Sequence, residues 1–228
     1  MKRPIRIAIP LAVLGSVAAA TAALGATIPI YGNDMSSTSA RSQLVRIGEG
    51  TCDRGAGAEA LRVTVGRRTR VCELRTPVIG SNLAISAAAR LLSSTPDAMQ
   101  KRVFVAVGVR AGSDSQYQLA VFPGKGSFQL RRDASGGERT LLARGDGRRI
   151  KEVGKPNKLR LLAFPAADGG TRVKAFVNGR KVASVLEDAH SASTVTGRFT
   201  TVAVGSTKGA NGTRASFDNI KVSVPDPF

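Results

Sequence analysis

Sixteen carboxylates, one histidine and two cysteines are the groups from which a reactive centre would have to be assembled. Cleaving a glycosidic bond with retention takes two carboxyl groups about 5–5.5 Å apart. A strand supplies such a pair most simply from positions i and i+2, because alternate residues share a face. The six glutamates, Glu49, Glu59, Glu73, Glu138, Glu152 and Glu187, are scattered, and none has a carboxylate two or four residues along a plausible strand. Glu187 and Asp188 are adjacent and so point to opposite faces of a strand. With the single His190 and no Gly-x-Ser-x-Gly, a nucleophile with its base and orienting acid is not recognisable. His190 also has no cysteine near it, so zinc-ligand spacing is missing. The sequence assigns no catalytic residue and no resident metal.

The cations are the more informative groups. Lys and Arg number 34 against 16 Asp and Glu, a formal charge of +18, and such a surface attracts polyanions at long range. Arg139 to Arg160 holds eight cations against Asp146 and Glu152, a local balance of +6. Its stretch GDGRRIKEVGKPNK reads as an exposed loop. Arg144, Arg148, Arg149, Lys151, Lys155 and Lys158 are therefore candidates for a surface facing phosphate or carboxylate groups, which the planar fork of Arg suits. An ordinary solvated loop is the alternative reading. Nucleic acid is not expected as a partner, since no reading module is recognised and no aromatic residues interleave with the basic ones.

Met1 to Arg6 carries three positive charges and Ile7 to Ile30 carries none, the pattern of a targeting segment. It reads either as a signal peptide cut after Ala20-Thr21-Ala22 or as an uncleaved signal anchor long enough to span a bilayer. Both place the body of the chain outside the cytoplasm, secreted or tethered. Cys52 and Cys72, the only cysteines, fit that compartment as one disulfide. Closing a loop of that size stabilises by roughly 3 kcal/mol in the chain-entropy picture.

The elements that position these groups are strands. Residues 1–30 form the targeting segment, 31–43 a Ser-, Asn- and Thr-rich spacer, and 44–228 one folded domain. Within it, about a dozen short apolar alternations are separated by Gly, Pro, Asp and Ser, the spacing of an all-β sandwich or barrel. RVFVAVGVR (102–110) is apolar on both faces, as in a central strand. NLAISAAARLL (82–92) is read as a strand despite its alanines, and Pro96-Asp97 opens a helical turn. Asn178-Gly179 inside RVKAFVNGRKVASV fixes a hairpin with a type I′ turn, because both residues tolerate φ > 0. That turn sets Val177 opposite Arg180, Ala175 opposite Val182 and Val173 opposite Ser184.

The C-terminal third, with NKLRLLAF at 157–164, the AFVNGRKVA hairpin, VAVGS at 202–206 and SFDNIKV at 216–222, resembles the concanavalin A-like lectin/glucanase superfamily. The resemblance covers roughly 83–224 and implies an antiparallel two-sheet jelly-roll β-sandwich. The glucanase branch carries a Glu-x-Asp-x-(x)-Glu strand, which this chain lacks. What the resemblance implies is then a non-catalytic binding module for carbohydrate or anionic envelope polymers. A glycoside-acting enzyme assembled from distant strands is the alternative. Sugar platforms usually use Trp or Tyr; with no Trp, Tyr117 is the candidate glycan contact, against its reading as a core residue. Some members bind a structural Ca²⁺ near the first and last strands, which makes Asp218 a weak candidate ligand. An Asp serving local backbone groups is the competing reading.

Overall fold

The computed structural model describes residues 27–47, 51–57, 60–66, 69–112, 114–206 and 208–225. Two antiparallel sheets face each other across one core. In the seven-stranded sheet the spatial order is β10 (Arg139–Asp146), β9 (Ser127–Asp133), β8 (Gln116–Phe122), β7 (Val103–Ala111), β14 (Phe199–Ser206), β5 (Val71–Ile79) and β2 (Val45–Ile47). In the eight-stranded sheet it is β13 (Arg180–Glu187), β12 (Thr171–Val177), β11 (Asn157–Pro165), β6 (Ala84–Leu91), β15 (Arg214–Pro225), β4 (Ala60–Val65) and β3 (Cys52–Gly57), with β1 (Thr27–Asn33) also paired to β15. This is the sandwich that the alternating segments imply. NLAISAAARLL is a strand: Ile85, Ala87, Ala89 and Leu91 face the core and Ser86 and Arg90 face outward. The small alanines let β11 and β15 flank it closely. Val103–Ala111 is central, buried on both faces between β8 and β14.

Residues 31–43, expected as a spacer, belong to the fold, and so do the last residues of the expected targeting segment. β1 pairs with the second half of β15, Tyr31 packs against the core, and Met35 and Leu44 are fully buried. Ser37 caps a short helix, α1 (Thr38–Ser42), by accepting the Ala40 N–H at 3.0 Å. The polar composition misleads here because β1 is an edge segment whose Ile28 and Ile30 face out. Residues 1–26 lie outside the described ones. Among the described residues no helix is long and apolar enough to cross a membrane.

Cys52 and Cys72 are joined, with Cα atoms 5.7 Å apart, and the bond links β3 of one sheet to β5 of the other. At the opposite margin a buried ion pair, Arg132 Nη1 to Glu187 Oε2 at 2.8 Å, spans from β9 to β13. Removing either partner would strand a buried charge.

The hairpin carries one correction. Asn178 (φ 49°) and Gly179 (φ 81°) adopt the left-handed conformations that a type I′ turn requires, and Val177 faces Arg180. A β-bulge between Ala175 and Phe176 then shifts the register, so Ala175 faces Ala183 and Val173 faces Val185. The extra residue keeps Val185, not Ser184, toward the core.

Asn178 does more than turn the chain. Its Oδ1 accepts the Lys158 N–H at 2.8 Å, and its Nδ2 donates to the Arg149 carbonyl at 2.6 Å and to Asn157 Oδ1 at 2.9 Å. Asn157, itself fully buried, exchanges two further bonds with the Lys151 backbone. The basic loop is thereby fastened to the hairpin. Asn178→Gly keeps the turn and loses all three bonds, so we expect a loss of about 1–3 kcal/mol in urea unfolding and faster tryptic cleavage after Arg148 and Arg149.

Candidate functional site

On the outer face of the seven-stranded sheet lies a cavity of about 360 Å³. Its walls come from six strands: Glu73 from β5, Phe104 from β7, Gln116 and Gln118 from β8, Arg131 and Asp133 from β9, Arg139 from β10 and Ser206 from β14. The alternation that puts Tyr117, Leu119 and Leu130 in the core turns Gln116, Gln118 and Arg131 outward into the cavity. Gly108 makes room at the floor. A Cβ there would sit 2.4 Å from Thr201 Oγ1 and 2.5 Å from Gln116 Oε1.

The polar groups are organised around Glu73. Its Oε1 accepts from Thr201 Oγ1 at 2.7 Å and its Oε2 from Gln116 Nε2 at 3.3 Å. Burial pushes its carboxyl above the usual range; the two hydrogen bonds and the Arg131 charge pull it back, while Asp133 adds to the rise. Arg131 donates from Nη2 to Gln118 Oε1 and lies 4.9 Å over the Phe104 ring. Phe104 meets Phe122 edge-on at 5.6 Å in a small apolar cluster with Ala106, Ala120 and Ala203. Arg139 pairs with Asp133 at 2.7 Å. Two atoms in this wall have no protein partner: Gln116 Oε1, an acceptor, and Arg131 Nε, a donor. Leaving such buried groups unmatched costs about 1–3 kcal/mol each, which a ligand or water offsets by bonding to them.

The residues expected from the sequence fall elsewhere. Tyr117 is fully buried, so it cannot stack a sugar; the even positions of β8 face the cavity and this odd one faces the core. Burial, then the Glu187 charge, pushes its phenol up to about 12. Arg144 is exposed on β10, while Arg148, Arg149, Lys151 and Lys155 are exposed on the following loop and Lys158 on β11. Lys155 is paired with Glu152 at 2.9 Å. None of the six lines the cavity. Asp218 accepts from the Asn219 N–H at 2.6 Å and from Asn219 Nδ2 at 2.9 Å, at a bulge in β15. Among the described residues no group of three or more His, Cys, Asp or Glu side chains could hold a metal. The cavity itself escaped the sequence reading, although Gln116 and Gln118, two amides at period two in an apolar strand, were a signal for it.

The raised carboxyl has a testable sign. The folded protein holds the Glu73 proton more tightly than the unfolded chain, so stability falls as pH rises from the ordinary value of 4.5 through the folded one. Glu73→Gln keeps an acceptor and cannot ionise. Its stability measured against pH should lose that fall, and near neutral pH it should match or exceed the parent.

No protein-family model and no curated protein sequence matches the chain. Solved structures do match. A carbohydrate-binding module from Bacillus subtilis aligns with TM-score 0.57 at 14% identity, over 79% of this chain and 95% of that one. A Bacillus subtilis protein of unknown function with a galectin-like fold aligns with TM-score 0.61 at 13% identity, over 86% and 96%. The kappa-carrageenase of Pseudoalteromonas carrageenovora, solved with an oligotetrasaccharide of kappa-carrageenan, aligns with TM-score 0.58 at 11% identity, over 92% and 99%. Identities this low speak for architecture alone. The two antiparallel sheets of eight and seven strands and the match to these neighbours give this chain the concanavalin A-like β-sandwich fold.

Proposed function

We propose that the protein is a non-catalytic carbohydrate-binding module that holds a glycan across the outer face of its seven-stranded sheet. The observation that carries this reading is the pair of unmatched groups, Gln116 Oε1 and Arg131 Nε, in the wall of a cavity large enough for a sugar unit. One is an acceptor and the other a donor, and a sugar hydroxyl can serve either. Gln118, Ser115 and Ser206 extend the polar wall, and backbone-bonded sheet residues hold it rigid.

Charge decides the ligand class. The cavity is lined by Arg70, Arg131 and Arg139 and by Glu73, Asp114 and Asp133, so the two signs balance. Arg139 is already matched to Asp133. A neutral glycan fits this wall better than a polyanion. Two of the cavity carboxylates are engaged within the wall, Glu73 with Thr201 and Gln116 and Asp133 with Arg139, which favours holding a ligand over cleaving one. Carbohydrate as the partner is also in keeping with neighbours named as a carbohydrate-binding module and a carrageenase.

The test is calorimetric titration of neutral and acidic glycans into the parent protein and into Gln116→Ala and Arg131→Ala. A neutral glycan should bind with little dependence on salt, and each substitution should weaken it about tenfold, the effect of one or two hydrogen bonds. Binding confined to acidic polymers, lost at physiological salt and abolished by reversing Arg148, Arg149 and Lys151, would move the site to the basic loop instead. Glycan cleavage that disappears in Glu73→Gln would make the protein an enzyme.

A further inference from the structure

The second outer face, that of the eight-stranded sheet, has a different chemistry. Alternation turns six cations outward on four adjacent strands: Arg90 of β6, Lys158 and Arg160 of β11, Arg172 and Lys174 of β12, and Lys181 of β13. No carboxylate faces outward on those four strands. None of the six is ion-paired with a carboxylate.

The cations are interleaved with apolar side chains. Across the ladder Lys181 sits opposite Phe176, which sits opposite Arg160; Lys174 sits opposite Leu162; and Arg172 lies between Leu186 and Phe164. Arg160 rests 5.7 Å over Phe176, and Lys174 rests 5.0 Å over Phe164. The expectation that no aromatic residue interleaves with the basic ones is thus corrected, because the interleaving runs across strands rather than along the chain.

The apolar members point to the occupant. Leu186, outward near the end of β13 and opposite Arg172, is 48% exposed. The chain enters β1 after the uncharged run Ile7 to Ala26. A polyanion in solution has no use for an exposed Leu, and the two Phe rings are already covered by cations, which leaves less face for stacked bases. An anionic bilayer uses both components, headgroups for the cations and the interface for the apolar rim.

We propose that the outer face of the eight-stranded sheet docks on an anionic lipid surface, with Leu186 at its apolar edge. It lies on the opposite side of the sandwich from the glycan cavity and stands independently of that reading.

The experiment is co-sedimentation of the full chain with vesicles of phosphatidylcholine alone or mixed with phosphatidylglycerol. It is paired with a nitroxide at Ser184→Cys, an exposed outward position between Lys181 and Leu186. The charges of Lys2, Arg3 and Arg6, the basic loop and any insertion of the uncharged run act equally in the parent and in a variant of the face, so the difference between those two proteins isolates the face. Binding should favour the anionic vesicles, the label should be shielded from aqueous quenchers on them, and Arg160→Gln/Lys174→Gln/Lys181→Gln should weaken that preference about fivefold per cation removed, on the order of a hundredfold in all. A retained β-type far-UV spectrum and a cooperative urea transition show that the variant is folded. Equal binding to both vesicle types, or a label that stays accessible, overturns the proposal. So does a variant that keeps its vesicle preference but loses binding to an anionic polysaccharide or a single-stranded oligonucleotide.

Discussion

The structure depends on β15, a strand of 12 residues that must satisfy three neighbours. Along one edge it pairs with β6 from Ala215 to Ser223; along the other it pairs first with β4 and then with β1. A regular strand could not keep its apolar residues inward over this length. Its core residues are Ala215, Phe217, Ile220 and Val222, and the spacing from Phe217 to Ile220 is three where the strand period is two. The bulge at Asp218-Asn219, with Asn219 at φ 50°, absorbs the extra residue and restores the phase. Asp218 accepts the Asn219 N–H that the bulge would otherwise leave without a partner. The motif SFDNIKV is therefore a register device: it keeps Phe217 and Ile220 in one core and brings β1 into the sheet.

Once β15 fixes the eight-stranded sheet, the two outer faces are free to differ. On the seven-stranded side the cavity wall carries both signs, with Arg139 paired to Asp133, Arg131 bonded to Gln118 and Glu73 to Thr201. On the other side the outward cations of β6, β11, β12 and β13 have no carboxylate among them. The formal charge of +18 is thus unevenly distributed. Like charges directly opposite in a ladder are destabilising. Here Phe176, Leu162 and Phe164 separate the cations across β11 and β12, which lets the sheet carry the charge without direct repulsion.

Much of this was legible in the sequence because strands announce themselves by alternation. The hairpin, the central strand Val103–Ala111 and the Cys52–Cys72 bond could be read from local signals or from elimination. The bulge in β13 could not, since only pairing with β12 shows which of Val182 and Ala183 is supernumerary. β1 straddles the expected targeting segment and spacer and gives no strand signal, because Ile28, Pro29 and Ile30 are exposed and TIPIYGN owes its place to β15, nearly two hundred positions away. The cavity was invisible for the same reason: Glu73, Gln116, Arg131 and Thr201 meet only through long-range pairing of β5, β8, β9 and β14. Counting charges along the chain found the loop at 148–155 and missed the face. On β11 and β12 every cation is followed by an inward apolar residue, which dilutes the linear signal that the sheet then concentrates.

The sandwich also bears on whether the two faces can influence each other. Packed sheets lie about 10 Å apart and interiors are close-packed, so a contact on one outer face reaches the other only by moving core side chains. Phe217, Leu119 and Leu161 are fully enclosed in that layer. The disulfide from β3 to β5 and the buried pair from Arg132 to Glu187 hold the sheets at opposite margins and resist sliding. Coupling between the faces would require a ligand with differential affinity for two packings of these elements. The faces should therefore act additively, the scaffold presenting one surface on each side of a rigid core.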